Sequence, residues 1–353
     1  MVSTKVFAID TFNPEEKYIN QAAAAIVKGK LVIIPTETVY GVAANMLNNK
    51  AIERLYEIKQ RPRFKPFSLH IDRKERVEEF VDDIPVAAYK LMQKFWPGPL
   101  TMILKAREYQ TIGIRMPDNE IALRIIAKAG VPVACPSANL SGKPAPTRFS
   151  EAIKDLEGLV DLAIDAGETK LKRESTIVDV TGSPVTIVRE GAIKRQDIEN
   201  ALDKKTVLFV CTGNSCRSVM AKALLEKKLR EKNRTDVEVL SRGLMLLIGI
   251  GATEATKEVL KKEGIDVSSH ISQRVTRDML HRSDFILVME KMHEEKILQL
   301  APEVKNRVFL LKEFAKINGT DLDIPDPVGK PLEFYEGTMG IIKEAIEVVA
   351  ALI

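Results

Sequence analysis

The sequence predicts an α/β protein of two domains, the first on a twisted mixed sheet and the second on a parallel sheet flanked by helices. Apolar, β-branched runs alternate with amphipathic stretches along the whole chain. Strand-rich and irregularly spaced up to about residue 200, the pattern then settles into regular strand–helix alternation. At 353 residues the chain also exceeds what one typical hydrophobic core organises. The boundary is expected near residue 203, giving domains 1–203 and 204–353.

The first expected element is a helix over about Pro14 to Lys28, with Ile19, Ala22, Ala23 and Ile26 on one face and Gly29 to stop it. "LVIIP" then reads as a buried strand. Further strands are expected at "FSLHI", "LTMIL", "TIGIRM", "VPVAC", "TIVDV" and "VTIVR", with helices near 49–60, 84–95, 118–129 and 148–157. The polar stretch "KRQDIENALDKK" separates the halves. Beyond it come strand 206–210, helix 218–232, strand 237–241, helix 252–263, strand 285–289, helix 292–300, strand 307–311 and a last helix from about 332.

Composition excludes several classes. Apolar and charged contents of 45% and 29% are those of a globular protein. No apolar run is long enough to span a bilayer and no N-terminal apolar leader is evident, so a cytoplasmic protein without membrane partners is expected. Cys135, Cys211 and Cys216 are too few for a disulfide scaffold, and no Cys/His spacing indicates a metal site. A net charge of +4 suits anionic small substrates without arguing for nucleic acid.

The densest chemistry is in "VLFVCTGNSCRSVMAKALL", residues 207–225. Cys211 ends a strand, Arg217 follows after five residues, and a helix begins at Ser218. Amides in such a strand–loop–helix turn converge on one point, and the helix N-terminus adds positive potential. Gly213 and Asn214 tolerate the left-handed backbone of a tight loop. Arg217 can grip two oxygens of a tetrahedral oxyanion, and Ser218 can donate to the sulfur. Cys211 in that field is expected to serve as the nucleophile. Thr212, Gly213, Asn214, Ser215, Cys216 and Ser218 complete the phosphate loop. Cys216 is either a disulfide partner for Cys211 or loop packing.

This half, from Thr206 to Ile353, resembles the low-molecular-weight protein-tyrosine-phosphatase family, which includes arsenate reductases and arginine phosphatases. The resemblance implies a Rossmann-like fold, a phosphocysteine at Cys211, phosphoryl binding by Arg217 and a general acid from the late Asp-Pro of "DIPDPVGKPLEFY", where Asp326 matches and Asp323 competes. Val219 stands where the family usually has proline, and Lys222 replaces a frequent acid. No cysteine follows Cys216, which disfavours arsenate reduction. The implied substrate is a phosphoprotein. Ser215, small and polar where tyrosine-selective relatives often carry isoleucine, favours phosphoarginine over phosphotyrosine.

In the first half, "PTETVYG" (35–41) follows the buried strand, and "KQRPRFKPFSLHI" places Lys59, Arg61, Arg63 and Lys65 before another. Four cations so close suggest a polyphosphate grip. No P-loop motif occurs. Later segments concentrate Thr111, Arg115, Ser137, Asn139, Ser141, Ser175 and Arg189 at strand ends, suited to hold a polar small ligand. Cys135 and Trp96 read as buried structural residues.

Residues 10–200 resemble the YrdC-type threonylcarbamoyl-AMP synthase family. That implies condensation of L-threonine, bicarbonate and ATP with release of pyrophosphate, the product feeding tRNA-modification machinery. Thr36, His70, Arg115, Ser137 and Ser175 would hold threonine or its carbamate. Lys59, Arg61, Arg63, Thr111, Ser141 and Arg189 would grip ATP, with Mg²⁺ sharing its charge. The competing readings are an RNA-binding module for this half and a non-catalytic pseudo-phosphatase for the other.

Overall fold

A computed structural model describes residues 3–108, 110–245, 249–317 and 321–353. The chain forms two compact units, Met1–Ala201 and Leu202–Ile353. Among the described residues no helix is long and apolar enough to cross a membrane.

The first unit opens with β1 (Lys5–Ala8), α1 (Glu16–Val27), β2 (Val32–Ile34), β3 (Gly41–Asn45), α2 (Asn49–Lys59) and β4 (Leu69–His70). It continues through α3 (Val86–Phe95), β5 (Leu100–Lys105), β6 (Thr111–Arg115), α4 (Glu120–Ala129), β7 (Val133–Ala134) and α5 (Phe149–Lys154). It ends with β8 (Leu162–Asp165), β9 (Thr176–Asp179), β10 (Thr186–Arg189) and α6 (Arg195–Leu202). The strands form one ten-stranded mixed sheet in the order β1-β8-β2-β3-β7-β4-β6-β5-β9-β10. Burial on both faces explains the unbroken apolar run of β2. Val32 and Ile34 meet α1 and α4, whereas Leu31 and Ile33 pack with Leu55 of α2 and Ala152 of α5. Asn48 and Asn119 cap α2 and α4 by accepting from the Ala51 and Ala122 amides.

In the second unit β11 (Lys205–Cys211) leads to α7 (Arg217–Glu231), β12 (Val237–Gly243), α8 (Glu254–Lys262), α9 (Arg277–Arg282), β13 (Phe285–Val288) and α10 (Lys291–Leu300). β14 (Val308–Leu310), α11 (Leu311–Phe314) and α12 (Leu332–Leu352) complete it. The sheet is parallel throughout, in the order β12-β11-β13-β14. Residues of β11 alternate strictly. Val207, Phe209 and Cys211 face the core built with α7 and α12, while Leu208 and Val210 face the core that includes Leu280 and Ile297. The phosphate loop thus springs from the central strand, where neighbours diverge and crevices form.

Expectation and structure differ in particular elements. The stretch read as a polar separator contains α6, whose one buried residue is Ile198. β1, β3, β8 and α9 were not anticipated, and α7 starts at Arg217, one residue early.

Candidate active sites

In the second unit the chain leaves β11 at Cys211 and turns through Asn214, whose φ of 53° is left-handed. The amides of Ser215, Cys216, Arg217 and Ser218 make no hydrogen bond among the described residues. No side chain caps α7. These donors form a nest open to an anion. Beneath them lies Cys211 Sγ, 3.0 Å from Ser218 Oγ and 3.3 Å from the Asn214 amide that donates to it. Asn214 Nδ2 donates to Ser218 Oγ at 3.0 Å, which leaves the serine proton for the sulfur. The loop is held from behind. Ser272 Oγ and His270 Nε2 donate to the Asn214 carbonyl at 2.8 and 2.7 Å, and the Gln273 amide donates to Asn214 Oδ1.

Gly243, at the end of β12, permits this close approach. A Cβ there would stand 3.0 Å from backbone atoms of Thr212, Gly213 and Asn214. Gly243→Ala is therefore expected to displace the loop and cut any turnover of an aryl phosphate at Cys211 roughly 10-fold or more. Melting of the purified protein should shift by only a few degrees; a variant with unaltered turnover would place the loop elsewhere.

Arg217 is 1% exposed. Its Nη1 donates to Glu290 Oε1 and, at 2.8 Å, to the Ile324 carbonyl. Its Nη2 donates to Asp326 Oδ2 at 2.7 Å and to Thr212 Oγ1 at 3.4 Å. The two aspartates flanking "IP" are thereby separated. Asp326 rests on the guanidinium beside the loop, whereas Asp323 accepts the first amide of α10, from Lys291. Cys216 is buried against Tyr335 and Thr253, and both loop cysteines are free thiols.

Two contributors escaped the sequence reading: Glu290 and His293. They lie at i and i+3 where β13 passes into α10, the sheet edge at which such loops gather. His293 Nδ1 accepts from the Glu290 amide, so Nε2 carries the proton and donates to Thr212 Oγ1 at 2.9 Å. Burial, aided by the Arg217 charge, lowers its pKa to about 4. Since that value lies below the unfolded one, the unfolded chain binds more protons between about 6.5 and 4. Stability from this group is present above that window and lost as pH falls through it. Melting of the second unit should fall with pH there, and His293→Gln should flatten the profile; an unchanged slope would contradict the neutral donor.

In the first unit a cleft of about 380 Å³ is lined by Thr36, Arg61, His70, Thr111, Arg115, Ser137, Ser175 and Arg189 among others. The sequence reading named all eight. Four further residues named with them, Lys59, Arg63, Asn139 and Ser141, do not line it. Lys59, 2% exposed, turns inward from the end of α2 and donates to the Ser137 and Asn139 carbonyls. Burial lowers its pKa to about 8. In this structure it braces the loop that carries Ser137. Arg63 is exposed and pairs with Glu53. Ser141 is exposed too, its amide donating to the Lys59 carbonyl.

The cations that do line the cleft are partly engaged. Arg61 donates to the Lys65 and Pro66 carbonyls, and Arg189 holds the Ser175 carbonyl at 2.8 Å and Glu174 at 2.7 Å. His70 is kept neutral by burial, its pKa lowered to about 3. Cys135 is pushed up to about 12 by burial and is no nucleophile. Gly41 passes so close that a Cβ would meet Cys135 Sγ at 2.5 Å. Trp96 is a core anchor, its Nε1 donating to the Leu100 carbonyl at 2.7 Å.

Glu37, within "PTETVYG", was also missed. It is buried, with Oε1 2.7 Å from Arg115 Nη2. An acid in a segment read for its hydroxyls was the available signal.

Comparison with known proteins agrees with this geometry. Residues 24–191 match the Sua5/YciO/YrdC family model, described as telomere recombination, and residues 206–353 match low molecular weight phosphotyrosine protein phosphatase. Threonylcarbamoyl-AMP synthase of Pyrococcus abyssi is 39% identical over 216 residues, 59% of this chain. The chain spans 64% of that relative's length. A crystal structure of P. abyssi Sua5 complexed with L-threonine superposes with a TM-score of 0.55 at 27% identity, covering 87% of this chain and 99% of that one. The protein-arginine-phosphatase of Geobacillus stearothermophilus is 39% identical over 141 residues, 40% of this chain and 90% of the relative. The chain therefore belongs to the Sua5/YciO/YrdC family through its first unit and to the low-molecular-weight phosphatase family through its second.

Proposed function

We propose that the second unit hydrolyses phosphoarginine on proteins through a phosphocysteine at Cys211. The observation that carries this reading is one sulfur, held by Ser218 and the Asn214 amide, in a loop of free amides that a buried arginine joins at Thr212. An incoming phosphoryl group is bound by the nest and by Arg217, whose Nη2 would exchange Asp326 for a phosphoryl oxygen and so free that carboxyl. The sulfur attacks phosphorus as the phosphorus–nitrogen bond breaks, and Asp326 gives its proton to the leaving guanidine. Asp326 then takes a proton from water, which cleaves the sulfur–phosphorus bond and frees orthophosphate. Glu290 and His293 hold Arg217 and Thr212 in place. Ser215 and the arginine-phosphatase relative favour phosphoarginine over phosphotyrosine. Side-by-side turnover on phosphoarginine and phosphotyrosine peptides tests this; faster tyrosine turnover would reverse the assignment, and none on either would favour a pseudo-phosphatase.

For the first unit we propose formation of threonylcarbamoyl-AMP from L-threonine, bicarbonate and ATP. The gathering of Arg115, His70 and the hydroxyls in one cleft with Arg61, Lys65 and Arg189 supports it. The carbamate oxygen attacks the α-phosphorus, and the rim cations stabilise departing pyrophosphate; catalysis is by positioning, without a covalent nucleophile. Among the described residues no three His, Cys, Asp or Glu converge as a metal site, so Mg²⁺ would enter with the triphosphate as substrate. The product would pass to tRNA-modification machinery. Pyrophosphate release dependent on both threonine and bicarbonate is the expected result; RNA binding without it would favour a binding module.

A further inference from the structure

Arg115 closes one wall of the first cleft, yet most of its guanidinium is committed elsewhere. Nε donates to the Gly98 carbonyl at 3.3 Å, and Nη2 stands 2.7 Å from Glu37 Oε1. Nη1 has no protein partner among the described residues. Glu37 itself does not line the cleft. Both its carboxylate oxygens are buried and neither has a hydrogen-bond partner, nor has Arg115 Nη2, so the two side chains meet as an ion pair and not as an aligned hydrogen bond. A buried carboxylate with so few partners is costly unless its charge is used, and the nearby charge is Arg115.

We propose that Glu37 is a positioning residue: it anchors Nη2 and turns Nη1 of Arg115 toward the ligand carboxylate. This rests on the reading of the first unit as a threonine-binding synthase. The arrangement divides one guanidinium into a fixed edge and a working end, a division that a lysine, with its single nitrogen, lacks. Glu37 does not touch the ligand. Its loss would therefore act on the affinity for the carboxylate-bearing substrate and spare the nucleotide.

Glu37→Ala, with no acceptor for Nη2, is expected to raise the threonine KM about 10-fold or more while the ATP KM stays within about twofold. Glu37→Gln keeps an acceptor oxygen of the same reach, so the threonine KM should recover to within about threefold of the parent. A ligand-free readout accompanies the kinetics. In the ¹⁵N spectrum of the full chain, an anchored Arg115 gives separate, slowly exchanging Nη signals, identified by their absence in Arg115→Lys. They should persist in Glu37→Gln and merge in Glu37→Ala. Merged signals in the parent protein, or a Gln variant as impaired as the Ala variant, would overturn the anchoring. If the Ala variant does not fold, the parent and Gln spectra still decide. A parent that shows the separate signals but does not use threonine would overturn the substrate reading and leave the anchoring intact.

Discussion

Cys211→Ser is expected to abolish phosphoprotein hydrolysis, by on the order of 10⁴-fold or more, while the chain stays folded and threonine-dependent pyrophosphate release continues. The reason is local. The sulfur is the one nucleophile beneath the nest, and a serine hydroxyl in the same place has no base beside it. Ser218 and the Asn214 amide supply hydrogen-bond donors to the atom at that position and take no proton from it. Ser218 Oγ is itself occupied as the acceptor of Asn214 Nδ2. Isosteric replacement leaves the packing of β11 and α7 almost unchanged, so unfolding would not explain the loss. Hydrolysis of a small aryl phosphate by wild-type and variant protein, run beside the pyrophosphate assay, checks both halves. Retained hydrolysis would remove Cys211 from the reaction.

Arg115→Lys should be the most damaging conservative change in the first unit. A lysine ammonium can satisfy Glu37 or reach the ligand carboxylate, but it has no second edge with which to do both. Losing a charge-assisted contact of about 1.5–3 kcal/mol predicts a fall in kcat/KM for threonine of roughly 10- to 100-fold. The ammonium still offsets the buried Glu37 charge, so melting should move by only a few degrees. Removing the charge altogether is different. Arg115→Ala would strand that carboxylate at a cost of about 3–5 kcal/mol, and stability would fall with activity. Threonine-dependent pyrophosphate release across the two variants separates these effects; Lys at wild-type rate would mean that Arg115 serves the fold alone.

What was legible in the sequence follows from how local each feature is. The second unit carries its topology in strict alternation of apolar strands and amphipathic helices, and its phosphate loop lies within eight consecutive residues, Cys211 to Ser218. The first unit hides more. β3, "GVAAN", is fully buried yet has Val42 as its one β-branched residue among glycine, alanine and asparagine, types of low strand propensity, so neither alternation nor β-branching marks it. α9, "RDMLHR", is too short to show a period. Charge runs leave the direction of each side chain open for a related reason. Lys59 and Arg63 belong to one basic stretch, but the helix end turns the first inward onto loop carbonyls and leaves the second outside against Glu53. Glu37, Glu290 and His293 act through partners 73 to 81 positions away, in Arg115, Arg217 and Thr212. Spacing along the chain holds no trace of such pairs; only the folded sheet edge brings them together.

In the second unit the chemistry turns on where the phosphoryl group goes. Mass analysis of the protein, quenched during turnover of a phosphoarginine peptide and digested, tests it most directly. One added phosphoryl group is expected, on Cys211. Turnover without that adduct, or an adduct on any other residue, would contradict it.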